Sequence, residues 1–299
     1  MIPYANLKPG RGFKPRQAGL YYAQRITTDR SVRRTVSRAI ASVIRLRHGA
    51  GLWVPVAPCY ETVVATLREQ GLAVLPSLVS TAQLQAILDY FEGKDVVGAG
   101  GRLMSRDQLP PDTMMASYSL TTILESPDVL SLLNTAPILR IAADYLGCKP
   151  TLSSLGVRWS FPGGQSAEGT QLFHRDPDDW RFLKFFVYLT DVDAGAGPHA
   201  YIVRSHLQAT QLRSHYYSQR TIDEQYGKAN TRIVTGPAGT AFLADTSGIH
   251  AGLVPTDTPR LILQAQYSLL PVYALRYQPM ASQEAAGFDP YVNRLLLAT

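Results

Sequence analysis

Cysteine is scarce in this chain of 299 residues: Cys59 and Cys148 are the only two, far apart and in no Cys-x-x-Cys spacing. Two such thiols argue against a disulfide scaffold and a zinc finger alike. Long apolar runs are missing too, since none approaches the roughly 20 residues that a membrane span needs, and the polar, basic start lacks the apolar stretch of a signal peptide. Acidic residues are nearly missing from positions 1–50, where Asp29 stands alone against eleven basic side chains. The local balance there is +10 in a chain of +6, so the other 249 residues carry −4. The basicity therefore belongs to an N-terminal arm and not to the body. A folded, soluble, cytoplasmic protein of one large or two small domains is expected, because single cores stop growing at about 250–300 residues.

Within the arm, Pro3, Pro9, Gly10, Gly12 and Pro15 suggest an extended segment over the first 20 residues, with order starting near Thr27. Thr28 or Asp29 then caps a helix on which Val32, Val36, Ala39, Ile40, Val43 and Ile44 recur at helical spacing, opposite Arg30, Arg34, Arg38 and Arg45. Two readings stay open. One is a helix docked on the body with a solvated charged face; the other is an interfacial helix in which residues 28–48 rest on an anionic membrane. Nucleic acid is disfavoured, as no aromatic residues interleave these arginines to stack bases.

Further along, helical patterns run from about Tyr60 to Glu69, behind Ser80 and Thr81, and over Pro127 to Asn134 and Pro137 to Leu146, with a short strand at Leu72 to Pro76. Between Val96 and Thr113 the glycines and prolines predict a long loop. From Thr151 the character changes to short strand-like runs: Thr151–Phe161, Gly169–His174, Phe182–Thr190, His199–Arg204, Arg232–Thr235, Thr240–Ala244 and Leu261–Leu270. So many short strands separated by Gly, Pro and Asp predict a sandwich or barrel, jelly rolls included, covered by the helices. Residues His206 to Asn230 are expected as an insertion between strands. The division expected is an arm and amphipathic helix over 1–50, then one domain over 51–299 with a helical part at about 60–150 and a β core at about 151–270.

Chemistry concentrates in that β-rich half. His174 and Asp176 lie two apart at a strand end, so alternation aims both at one face, and His250 follows 76 residues downstream. Two imidazoles and one carboxylate are the ligand set of the facial triad on Fe(II), which leaves three positions for cosubstrate and dioxygen. Arg260 opens the strand after His250, where a fixed guanidinium can take a carboxylate bidentately. Lys184, Phe186 and Tyr188 share one strand face by alternation. His199 and His206 read as structural histidines near a turn.

The stretches Gln171-Leu-Phe-His174-Arg-Asp176, Lys184-Phe-Phe-Val-Tyr-Leu-Thr-Asp191 and Gly197-Pro-His-Ala-Tyr-Ile-Val-Arg-Ser205-His206 resemble the phytanoyl-CoA dioxygenase family of Fe(II)- and 2-oxoglutarate-dependent oxygenases. The distal stretch Gly239-Thr-Ala-Phe-Leu-Ala-Asp-Thr-Ser-Gly-Ile-His250-Ala-Gly with Pro259-Arg260 is similar to the same family, and the likeness runs from about Thr62 to Leu270. The resemblance implies a mainly β fold with flanking helices: a double-stranded β-helix, or distorted cupin-like jelly roll, under an N-terminal helical covering. It also implies iron on His174, Asp176 and His250, and the far carboxylate of 2-oxoglutarate on Arg260, with Lys184 and Gln171 beside the cosubstrate. Arg158, Asp178 and Trp180, with Trp159 and Asp179, border the expected mouth and are candidate substrate contacts. Arg204 departs from the family, which has Gly before the Ser-His pair, at a turn position away from the metal. The retained Asp176 disfavours the halogenating relatives, in which a small residue there makes room for chloride.

The implied reaction consumes O2 and 2-oxoglutarate and oxidises a substrate C–H bond, with hydroxylation the default outcome and a small-molecule or lipid- or glycan-linked substrate. Two alternatives stand beside it. The first is a peripheral membrane hydroxylase of an anionic lipid or glycolipid, which uses the basic helix. The second is a noncatalytic jelly-roll binding module.

Overall fold

The computed structural model describes residues 2, 4–10, 12–49, 58–163, 167, 169–208 and 216–298. Two helices, α1 (Pro15–Ala23) and α2 (Arg30–His48), precede the body, and α2 starts where the Asp29 carboxylate accepts from the Val32 amide. In the helical part, α3 (Val63–Gln70) stops at Gly71 in the left-handed conformation and leads into strand β1 (Leu72–Leu75). Helix α4 (Thr81–Phe91) begins at Ser80, whose hydroxyl accepts from the Gln83 amide. Short strands β2 (Val96–Val97), β3 (Leu103–Met104) and β4 (Met115–Tyr118) follow, then α5 (Leu120–Leu124), α6 (Pro127–Leu133) and α7 (Ala136–Leu146).

The remaining strands are β5 (Thr151–Ser160), β6 (Phe182–Tyr188), β7 (His199–Ile202), β8 (Thr231–Val234), β9 (Ala241–Ala244), β10 (His250–Gly252) and β11 (Arg260–Ser268), with α8 (Gln219–Tyr226) between β7 and β8. They form an eight-stranded sheet in the order β1-β9-β6-β11-β5-β4-β2-β3 and a three-stranded sheet in the order β10-β7-β8, with every pairing antiparallel. This is a jelly roll, one of the architectures that the strand pattern allows and the one that the family resemblance implies.

Alternation sorts the large sheet into two faces. Phe185, Val187, Leu243 and Leu263 point outward onto Leu130, Leu133, Ile138 and Tyr145 of the helices. Phe186, Tyr188, Phe242 and Ile262 point inward, where they meet Tyr201 and Val234 of the small sheet. Each large apolar side chain buried in this way contributes about 1.5–3 kcal/mol relative to exposure. The Tyr188 hydroxyl couples the two sheets, accepting from the His199 amide and donating to the Val234 carbonyl, both at 2.8 Å. Ile222 of α8 closes the outer face of the small sheet against Ala200, Ile202 and Ala251.

Several expectations need correction. The first 20 residues are not simply extended: Pro15 is the first residue of α1, a position where its missing amide hydrogen costs nothing, and Ile2, Leu7 and Ala18 make a small core of their own. Order therefore begins well before Thr27. Residues 96–113 are no plain loop, since β2 and β3 form a hairpin that extends the large sheet through β4. Gly169–Gln171 is a 3-10 turn, followed by isolated bridges from Phe173 to Tyr217 and from His174 to His250, and the insertion after His206 contains α8.

Helix α2 is docked on the body with Arg30, Arg34, Arg38 and Arg45 exposed, as one reading expects, but its contact is turned from the expected apolar stripe, of which Ile40 and Ile44 pack on the body. It buries Arg33, Ser37, Ala41 and Ile44, while Val32, Ala39, Val43 and Leu46 stay exposed. Arg33 is tolerated at the contact because its guanidinium donates to the carbonyls of Gln24 and Asp179, at 3.0 and 2.6 Å. Those carbonyls come from outside the helix, so periodicity within α2 carries no sign of them.

Candidate metal centre

His174 and His250 sit opposite each other in an antiparallel bridge, each amide donating to the other's carbonyl at 2.9 and 3.0 Å. This bridge joins the turn after Gln171 to β10 and brings the two imidazoles to a centroid distance of 4.3 Å. Nδ1 of His174 lies 2.7 Å from the Leu172 carbonyl and Nδ1 of His250 lies 3.0 Å from the Gly248 carbonyl. As donors there, both rings are fixed in the tautomer that leaves Nε2 as a lone-pair donor. The two Nε2 atoms face the carboxylate of Asp176, at 3.5 Å from Oδ1 for His174 and 3.4 Å from Oδ2 for His250. One ligand atom from each of the three residues falls within 4.8 Å of the others. That spacing, with two nitrogens, one hard oxygen and no thiolate, suits a divalent first-row ion such as Fe(II).

The electrostatics favour the ligating forms. Burial alone would raise Asp176, but Lys184 and the imidazole of His250 outweigh it and hold the carboxyl well below its usual range. Burial depresses His250 as well, and Asp176 partly offsets it. His199 is depressed further, first by burial and then by His250 and Arg260.

A cavity of about 70 Å3 runs from these three residues to Arg260, walled by Arg158, Thr170, Lys184, Phe186 and His199 among others. Arg260 opens β11 opposite Ser160 of β5 and is only 2% exposed. Its Nη2 reaches the Ser160 hydroxyl at 3.3 Å, while Nε and Nη1 have no partner among the described residues. Burial lowers its pKa to about 10. A buried guanidinium with two unpaired donors is costly, and a carboxylate is the group that satisfies it bidentately. Gly252 leaves room for it, since a Cβ there would come within 3.2 Å of Nη2.

The remaining predicted residues divide. Arg158 is in the cavity wall, with its buried Nε unpartnered among the described residues. Lys184 also lines the cavity, but its ammonium is committed to Asp176 at 2.6 Å and Asp178 at 3.4 Å. Gln171 is buried without reaching the wall, which Thr170 supplies instead. Asp178 meets Lys184 and not the cavity. Trp180 lies elsewhere, 5.1 Å from the Arg33 guanidinium at the α2 contact. Asp179 is wholly buried, accepting from the Gln24 side chain and the Leu270 amide. Trp159 faces the outer core and donates to the Tyr118 hydroxyl. Alternation along β5 explains why Arg158 and Trp159 part company.

His199 is the site residue that sequence reasoning passed over. It stacks on His250 with centroids 5.6 Å apart, and its buried Nε2 has no partner among the described residues. The signal lies in register: β7 pairs with β10 so that His199 faces Gly252 and Tyr201 faces His250, which puts both histidines on the inner face.

No family model and no curated protein matches the sequence. Solved structures do match the fold. The chain is similar to SnoN, a non-heme alpha ketoglutarate dependent epimerase from nogalamycin biosynthesis, with TM-score 0.50 and 21% identity over 70% of this chain and 80% of that one. It is similar to EctD from S. alaskensis, with TM-score 0.51 and 19% identity over 73% and 80% of the two chains. HygX from Streptomyces hygroscopicus, solved with nickel and 2-oxoglutarate bound, matches at TM-score 0.50 and 15% identity over 76% and 92%. The class defined in this way is the jelly-roll fold that these proteins share, carrying here a His-Asp-His cluster able to hold a metal ion. Identities this low carry the fold and not the activity.

Proposed function

We propose that this chain is an Fe(II)- and 2-oxoglutarate-dependent oxygenase of the phytanoyl-CoA dioxygenase type, hydroxylating or otherwise oxidising an unactivated C–H bond of a small-molecule or lipid- or glycan-linked substrate. One observation carries the reading: a buried guanidinium with unpaired donors shares a cavity with a preorganised His-Asp-His cluster. When bound, iron with 2-oxoglutarate and O2 supplies the oxidising power, and the cosubstrate leaves as succinate and CO2. His174, Asp176 and His250 hold the ion. Backbone carbonyls fix both rings, and Lys184 fixes the carboxylate by neutralising the oxygen that faces it. Arg260 takes the far carboxylate of the cosubstrate, and the Ser160 hydroxyl steadies its Nη2. Phe186 and Ile262 keep water from the inner wall, while Arg158 and His199 offer free polar atoms to whatever enters beside them. No side chain is needed as a general base, because the residues position and exclude. The iron-loaded protein in air is expected to release succinate from 2-oxoglutarate, slowly without substrate, and His250→Ala is expected to abolish this. Iron binding with no succinate from the native chain contradicts the reading.

A second reading is favoured by one feature of α2. Val32, Val36, Ala39, Val43 and Leu46 form a stripe opposite Arg30, Arg34, Arg38 and Arg45, with Leu46 87% exposed. Such a stripe supports peripheral attachment of the same enzyme to an anionic membrane. Flotation with phosphatidylserine vesicles tests it: Val43→Asp with Leu46→Asp is expected to abolish binding, and equal binding by that variant excludes this face.

A further inference from the structure

We propose that the groove between α2 and the body is a second binding site, for a ligand carrying two or more phosphate or sulfate groups. The groove has a volume of about 770 Å3, the size of a small-molecule site, and eight arginines line it against two aspartates. Arg30, Arg34, Arg38 and Arg45 come from one flank of α2, and Arg68, Arg175 and Arg181 face them from the body.

Their charges are not spent on one another's neighbours. Among the described residues none of the eight makes an ion pair. Both aspartates are occupied: Asp245 accepts from the Tyr145 hydroxyl and from the amide and hydroxyl of Ser247, and Asp144 pairs with Arg140. Several arginines are held in place. Arg175 donates to the carbonyls of Ser205 and Ser247 at 2.9 and 2.7 Å, Arg68 donates to the Asp144 carbonyl at 2.7 Å, and Arg181 lies 4.4 Å over the Tyr145 ring. Burial and then Arg34 depress Arg30, so the crowding of like charge is felt at this flank. Arg33, Arg68 and Arg175 spend donors on backbone carbonyls and give the floor of the groove fixed positive charge, while the exposed Arg30, Arg34 and Arg38 keep guanidinium forks that suit tetrahedral oxyanions. A groove of about 770 Å3 lined by eight arginines has more room and more positive charge than a single phosphate uses, which is why the ligand inferred carries more than one.

The site is separate from the metal centre. No residue lines both cavities, although Arg175 stands between His174 and Asp176 and points the other way. The inference does not depend on iron, and its test is made without iron.

Calorimetry on the metal-free full chain at physiological salt, with sodium tripolyphosphate and with orthophosphate, tests it beside Arg34→Ala/Arg38→Ala and Arg260→Ala. Both Arg34 and Arg38 are exposed, so their removal leaves the core intact, which an unchanged thermal midpoint verifies. Tripolyphosphate is expected to bind once per chain and tighter than orthophosphate, to weaken by about tenfold or more in the double variant, and to bind Arg260→Ala as it binds the native chain. Vesicles containing phosphatidylinositol bisphosphate, against phosphatidylserine vesicles of equal surface charge, separate the sources. Binding to tripolyphosphate in solution marks a soluble ligand, and binding to the bisphosphate vesicles alone, lost in the double variant, marks a lipid headgroup. Binding of neither probe, or equal binding by the double variant, overturns the proposal.

Discussion

The ammonium of Lys184 lies 2.6 Å from Oδ2 of Asp176, the oxygen that also faces Nε2 of His250 at 3.4 Å. A strand residue of β6 therefore sets the rotamer and the charge of a carboxylate that lies in a loop. Lys184→Met removes that hold and leaves burial to push Asp176 upward. Affinity for Co(II), followed by its absorption spectrum, is expected to fall roughly tenfold to a hundredfold. An unchanged affinity would show that Asp176 needs no such support.

Arg260 separates stability from function. Because Nε and Nη1 are buried without partners among the described residues, replacing the side chain with an apolar one of similar length relieves a desolvation cost. Arg260→Met is expected to raise the thermal midpoint of the metal-free protein by a few degrees, about 1–2 kcal/mol. The same variant is expected to weaken 2-oxoglutarate binding by about tenfold or more. If the midpoint falls instead, the guanidinium is a structural strut and not a ligand-binding group.

The N-terminal helices are fastened through a group that titrates near neutrality. Burial pushes Asp179 from 3.8 up to about 7, although the Leu270 amide and the Gln24 side chain donate to it. A raised folded-state value means that the folded form holds the proton more tightly. The stability it contributes is complete below pH 3.8 and is lost as pH rises through about 7. The ceiling on this effect is on the order of 4 kcal/mol. The thermal midpoint is expected to fall between about pH 5 and pH 8, and Asp179→Asn is expected to flatten that dependence. A native midpoint that rises over this range contradicts the assignment.

Local signals in the sequence are those that survive in the fold. Ser80 and Asp29 cap helices, Gly71 ends one, and alternation along β6 assigns its faces, because each depends on neighbours in the chain. The turn position read at Arg204 is a left-handed one, with φ of 66°, as suits a site where the resembling family has glycine. What escaped depends on distant partners. β10 is three residues long, too short to show alternation, and only its pairing with β7 reveals that His199 stacks on His250. The docking face of α2 was hidden for the same reason: Arg33 is buried through carbonyls supplied by Gln24 and Asp179. Trp180, expected at the mouth, packs against that arginine instead.

The most direct measurement is an anaerobic titration with Fe(II) and 2-oxoglutarate, following the weak visible metal-to-ligand charge-transfer band in the native chain, His174→Ala and Arg260→Ala. The native chain is expected to develop the band only when both are present. His174→Ala is expected to show none, and Arg260→Ala to need about tenfold or more cosubstrate to reach it. Iron binding without a band at saturating 2-oxoglutarate contradicts the cosubstrate assignment, and no iron binding at all contradicts the metal centre itself.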